Sequence, residues 1–139
     1  MSTEENKATL QRVGEIFNKG DLSLVPELIA PDYVLHGPMG MEVKGLEGFK
    51  QMVAMYRSAF PDLHGTVEDM VAEGDMVAAR LTFTGTHKGE YMGIAATGKQ
   101  ATLKDNVFIR FEGGKEVEVW GISDLLGMMQ QLGVVPPMG

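Results

Sequence analysis

Asp105 is the side chain in this sequence best placed to move a proton. It stands in the run Leu103-Lys-Asp-Asn-Val-Phe-Ile-Arg-Phe111 with the parity of Val107, Ile109 and Phe111, so a strand that buries those three turns the Asp105 carboxyl inward with them. A carboxylate among apolar neighbours has a raised pKa and can act as a general base. The alternative is a charge near a strand end that reaches solvent or pairs with Arg80. His36 closes Tyr33-Val-Leu-His36 beside Gly37-Pro38, where an imidazole either shuttles a proton near neutral pH or pairs with the loop backbone. Asp105 as base and His36 as proton partner make the candidate catalytic pair.

Other residues carry weaker signals, each with a structural alternative. Asp124 follows Trp120 by about one helical turn and either faces a pocket or caps the last helix; the cap is a complete reason for it. Arg80 either binds a ligand carboxylate or joins a cross-strand ion pair. Trp120 offers a flat apolar wall for a polycyclic ligand, or plain core packing. His87 and His64 are expected at strand ends facing solvent. The 11 Met residues include Met39, Met41, Met52, Met55, Met92, Met128 and Met129, flexible thioethers that suit an adaptable pocket, although core filling accounts for at least half of them.

Several chemistries have no support. Three His and 19 carboxylates occur without HExxH, a regular His-x-His or a calcium loop, so no metal site is expected. Thr97-Gly-Lys99 lacks the spacing of a phosphate loop, no GxGxxG is present, and no cofactor is expected. There is no GxSxG elbow and no Cys nucleophile. A net charge of −7 with scattered basic residues argues against nucleic acid. Absence of an apolar leader or an 18-residue apolar run argues against a membrane, and with no Cys the expected location is the cytoplasm.

The elements that must position these residues follow from periodicity. Ser2 and Glu5 form a possible capping box before Leu10, Val13, Ile16 and Phe17, and Gly20 ends that first helix. Asp21 starts a shorter helix through Leu22, Val25, Leu28 and Ile29, broken at Pro31-Asp32, before the brief strand at Tyr33–His36. Leu46, Phe49, Val53, Tyr56 and Phe60 recur over four turns as the clearest apolar stripe, stopped by Pro61. Two long hairpins follow, Leu63–Glu73 with Met76–Lys88 and Gln100–Glu112 with Lys115–Ser123, joined by the Gly- and Ala-rich link 89–99. Asp124–Leu132 is a last helix, closed by Gly133 and Val-Val-Pro-Pro. Helices first and strands after predict one α+β domain over residues 1–139, in which an antiparallel sheet curls around the helices and leaves a hollow. Gly85, Gly89, Gly93 and Gly98 are expected to ease strand bending.

From Asn18 to Gly133 the chain resembles the SnoaL-like polyketide cyclase family of the NTF2-like superfamily. The motifs that carry this are Asn18-Lys-Gly-Asp-Leu22, Ala30-Pro-Asp-Tyr-Val34 with His36, Ala59-Phe-Pro-Asp-Leu63, Glu73-Gly-Asp75 with Val77-Ala-Ala-Arg80, Gly85-Thr-His87, Arg110-Phe-Glu-Gly-Gly-Lys115, and Glu118-Val-Trp120 with Asp124. The resemblance implies an NTF2-like cone with an internal pocket, homo-oligomers packed through the sheet, no cofactor, and an acid/base aldol closure. It also places the family's acid/base Asp just after Trp120, where this chain has Gly121, and its strand His at Val107 or Asn106. The expected site is therefore Asp105 and His36 for catalysis, with Trp120, Asn106, Phe49, Met52, Tyr56, Arg80 and Asp124 around an apolar, carbonyl-bearing small molecule. A non-catalytic ligand-binding protein and a dimerisation module of the same fold are the other two readings.

Overall fold

The computed structural model describes residues 2–136; Met1 and residues 137–139, including Pro137 of the expected closing turn, lie outside the described residues. Helix α1 (Thr3–Lys19) starts at the expected box: the Ser2 hydroxyl accepts from the Glu5 backbone N–H at 3.0 Å, and the Glu5 carboxylate accepts from the Ser2 N–H at 3.3 Å. Asp21 accepts from the Ser23 N–H and opens only a short 3-10 turn, followed by α2 (Val25–Leu28). Ile29, expected in that helix, is already the first residue of β1 (Ile29–His36). The helix has ended before Pro31-Asp32, and Pro31 is accommodated inside β1 because it lies where the pairing with β6 slips between Ile29 and Val34, a place that does not require an N–H donor.

A three-residue strand, β2 (Glu42–Lys44), then leads into α3 (Gly45–Ala59), whose Phe49 and Val53 are buried. The two hairpins form as read from the sequence: β3 (His64–Glu73) with β4 (Met76–Thr86), and β5 (Gln100–Glu112) with β6 (Lys115–Ser123). The last helix, α4 (Leu125–Leu132), ends at Gly133 with φ 82°. The six strands run in the order β2-β1-β6-β5-β4-β3. The fold is the α+β cone expected, with a curved, unclosed sheet around the helices. One feature differs: β1 pairs with β6 in parallel, so the sheet is mixed. This pairing joins the first strand to the last, and local periodicity carries no trace of it.

Aromatic contacts tie the helices to the concave side. Phe17 and Tyr33 both meet Phe49 edge-on, with centroids 5.7 and 5.4 Å away. Arg57 donates to the carbonyls of Phe17 and Asn18 at 2.8 and 2.9 Å, fixing the end of α3 against the end of α1. Gly89 answers to a close approach and not to strand bending, since a Cβ there would collide with the Ser58 carbonyl. That approach folds the link 89–99 over the end of α3 and buries Tyr91.

Candidate active site

A cavity of about 130 Å³ lies between the concave face of the sheet and α1 and α3. Its wall is mostly apolar, with Val13, Phe49, Met52, Leu103 and Val107 among the lining residues. The outer groove between α3 and residues 37–44 shares Leu35, Gly37, Pro38, Met52 and Tyr56 with the cavity, which places the mouth there. Of the methionines singled out above, Met52 and Met128 line the cavity, and Met41, Met52 and Met55 line the groove. Met129 packs against the buried cluster that includes Phe60, Leu63, Tyr91 and Leu132, while Met39 and Met92 are exposed at left-handed turns.

Asp105 faces the cavity, with Val107 and Ile109 on the same side of β5, as its parity predicts. Burial pushes its carboxyl up to about 6, against the opposing pull of the Ser123 hydroxyl, which donates to Oδ1 at 3.1 Å, and of the Asn106 backbone N–H. Near neutral pH the group is thus mainly ionised yet basic enough to accept a proton. Tyr56, from α3, also lines the cavity, and Tyr91 stands behind it with ring centroids 5.8 Å apart. Both phenols are raised, first by burial and further by the charge on Asp105, so they keep their protons as donors. The site therefore offers a base (Asp105), a hydroxyl that holds it (Ser123) and a neutral donor (Tyr56) in an apolar chamber.

Strand alternation separates the other expected residues from this group. Tyr33 and Leu35 of β1 line the cavity, so His36 faces outward, where Nε2 lies 2.7 Å from Glu118 and Nδ1 3.4 Å from Glu42. The expected pairing of His36 with Asp105 is not formed. Trp120 is likewise on the outer face, stacked on His36 at 5.8 Å, and not a pocket wall. Asn106 is exposed on that face opposite Arg80, and Arg80 donates to Asp69 at 2.6 Å, the cross-strand pair named as its alternative. Asp124 caps α4, accepting from the Gly127 N–H at 2.9 Å, and does not line the cavity. Phe49, Met52 and Tyr56 do line it. His87, expected in solvent, is fully buried, with Nδ1 accepting from the Thr97 N–H at 3.2 Å; His64 is exposed as expected. Among the described residues no cluster of three or more His, Asp or Glu is arranged to hold a metal.

Two cavity groups escaped the sequence reading. Ser123 is visible only through the register that sets it opposite Asp105. Glu116 should point outward with Glu118 and Trp120 by alternation, but the register of β5 with β6 shifts between Arg110 and Phe111, and Glu116 is turned inward. It is 3 % exposed, lines the cavity, and its Oε2 has no hydrogen-bond partner.

Gly121 pairs with Val107 across β5 and β6, and a Cβ built on it would stand 3.7 Å from Asp105 Oδ1. There is space for a side chain, and a carboxylate there would repel the one already present. Gly121→Asp is therefore expected to move the acid limb of a pH–rate profile to higher pH, lowering turnover at pH 6 by about tenfold relative to wild type, with less effect at pH 9. The two carboxyls would titrate as a pair.

A curved mixed sheet closing over helices around an apolar acid/base chamber defines a class of small pocket proteins. The sequence matches the SnoaL-like polyketide cyclase family over residues 7–132, and the chain belongs to that family. It is 30% identical over 131 residues to the aklanonic acid methyl ester cyclase AcmA of Streptomyces galilaeus, covering 93% of this chain and 91% of the relative. It is also 30% identical to DnrD of Streptomyces peucetius, another aklanonic acid methyl ester cyclase, covering 89% and 88%. Among solved structures, IdmH of Streptomyces antibioticus superposes with a TM-score of 0.81 at 37% identity, covering 92% of this chain and 98% of the other. TsrD of Streptomyces laurentii superposes at 0.88 and 28% identity, covering 97% and 99%.

Proposed function

We propose that the protein is a cofactor-independent cyclase that closes a ring in an apolar, carbonyl-bearing small molecule by proton transfer. One observation carries this reading: Asp105 is a buried carboxylate of raised basicity in a largely apolar cavity, beside a phenol that keeps its proton. In the proposed step Asp105 removes the proton from a carbon activated by adjacent carbonyls. The electron pair moves to the enolate oxygen, which accepts a hydrogen bond from the Tyr56 hydroxyl. The enolate carbon then attacks a second carbonyl of the same molecule, one carbon–carbon bond forms, and the new alkoxide takes the proton back from Asp105. The net reaction is an isomerisation, so neither oxidant nor cofactor is consumed.

AcmA and DnrD are, by name, cyclases of aklanonic acid methyl ester, and this ester is the first substrate to test. Incubation with the purified protein and chromatography of the products test the reading directly. Conversion to an isomer of equal mass supports it, and recovery of unchanged ester across a panel of aromatic β-keto esters opposes it.

We further propose that the protein works as a homodimer joined through the outer face of the sheet. One row across all six strands carries Glu42, His36, Trp120, Phe108, Ala78 and Val71, and Ile122 stands beside it. Val71, Phe108 and Ile122 are 69, 58 and 79 % exposed, an apolar strip larger than scattered surface residues require. Phe108→Glu with Ile122→Glu is expected to shift the mass measured by light scattering from dimer to monomer; a wild-type monomer at micromolar concentration would contradict the proposal. We propose a cytoplasmic location on the Cys-free sequence; none of the helices among the described residues is long and apolar enough to cross a membrane.

A further inference from the structure

Glu116 is a cavity carboxyl that the acid/base reaction does not use. Its position follows from the local irregularity of the sheet: the register of β5 against β6 shifts after Arg110, so that Glu116 faces Phe111 across the pair and Ile29 on β1. Both Glu116 and Val117 are buried in consequence. Asp105, by contrast, stands opposite Ser123 near Gly121, toward the mouth at Gly37 and Pro38. Six residues of β5 separate Asp105 from Phe111, a rise of about 20 Å along an extended strand. The cavity thus has two carboxyls well apart along β5: one near the mouth with a hydroxyl partner, and one beside Phe111 with Oε2 unpaired.

A buried polar group with no protein partner is costly unless something completes it, and the side chain that carries this one lines the cavity. We propose that Glu116 is a specificity-determining residue that donates a hydrogen bond to an oxygen at the far end of the substrate, remote from the carbon that reacts at Asp105. This rests on the reading of the cavity as the substrate site. It narrows the substrate class to extended ring systems with an acceptor oxygen, a carbonyl or hydroxyl, on the edge that enters first. Burial pushes the Glu116 carboxyl up to about 8, which keeps it protonated, and able to donate, at neutral pH. Tyr33, whose phenol is raised by burial and by the nearness of Glu116, is neutral at the same end.

The test uses 9-fluorenone and fluorene, one tricyclic skeleton with and without a carbonyl oxygen. Affinities are measured for wild type, Glu116→Met, which keeps the volume and removes the donor, and Glu116→Gln, which keeps a donor. Wild type and Glu116→Gln are expected to prefer fluorenone by about tenfold, the value of one good buried hydrogen bond, and Glu116→Met by less than threefold. Glu116→Met without ligand should melt at a higher temperature than wild type, an outcome that a purely structural role would reverse. An unchanged fluorenone preference in Glu116→Met overturns the proposal alone. Failure of wild type to bind either compound overturns the cavity reading and the proposal with it. Should Glu116→Met not fold, the infrared band of the protonated carboxyl in wild type, assigned by its loss in Glu116→Gln, decides: it must shift with fluorenone and not with fluorene.

Discussion

Asp105→Asn is expected to lower turnover by about 10²–10⁴-fold, the range over which a positioned base accelerates proton transfer. The amide keeps the shape of the side chain and can still meet the Ser123 hydroxyl 3.1 Å from Oδ1, so the chamber survives while the basic electron pair is lost. Stability should move the other way. Folding takes this carboxylate from water into a wall of Val107, Leu103 and Tyr56, and its pKa rises because the charge is disfavoured there. Removing the charge relieves that cost, and the variant should melt at or above the wild-type temperature. A large fall in melting temperature with turnover intact would instead make Asp105 structural. The opening at Gly121 permits a stricter form of the experiment. Adding Gly121→Asp to Asp105→Asn returns a carboxylate to the same corner from the neighbouring strand, and should recover at least about tenfold of the lost rate.

The second large effect concerns stability against pH. Glu116 rises from 4.5 to about 8 and Asp105 from 3.8 to about 6 on folding, both because burial disfavours the charge. Between each pair of values the folded chain holds a proton that the unfolded chain has released, so stability falls as pH rises through that window. Each such group contributes a slope of about 1.4 kcal/mol per pH unit, and for Glu116 the sum between pH 5 and 8 is on the order of 4 kcal/mol. The melting temperature should therefore be higher near pH 5 than near pH 8, by on the order of 10 °C for a chain of this size. Thermal unfolding of Glu116→Gln over the same range should lose most of that dependence. Equal slopes in wild type and variant would show that Glu116 is ionised in the folded protein.

The half of the site that lies on regular strands was legible in the sequence, and the half that depends on pairing was not. Asp105 could be placed because β5 alternates without interruption from Leu103 to Phe111, and Phe49, Met52 and Tyr56 because α3 keeps one apolar stripe. The same alternation sets Trp120 and His36 outside, because their neighbours Val119 and Leu35 face inward. Glu116 is a different case. A register shift between two strands belongs to the pair and leaves no mark in either sequence alone, so an inward glutamate in Lys-Glu-Val-Glu-Val-Trp reads as an outward one. The parallel pairing of β1 with β6 likewise depends on the whole path: α3 carries the chain from β2 at one edge of the sheet to β3 at the other, and three antiparallel steps return it to β1. His87 is buried because the link 89–99 folds back to the Thr97 N–H, a contact ten residues long with no periodicity to announce it.

The central claim is that Asp105 takes a proton from carbon inside the cavity, and exchange of that proton with solvent measures it without knowledge of the final product. An aromatic β-keto ester incubated in deuterated water with the protein, and followed by NMR, should lose its α-proton signal faster than in buffer. The catalysed rate should rise with pH through the value near 6 set by the burial of Asp105 and be absent in Asp105→Asn. Catalysed exchange that persists undiminished in Asp105→Asn, with the same pH dependence, would contradict the account.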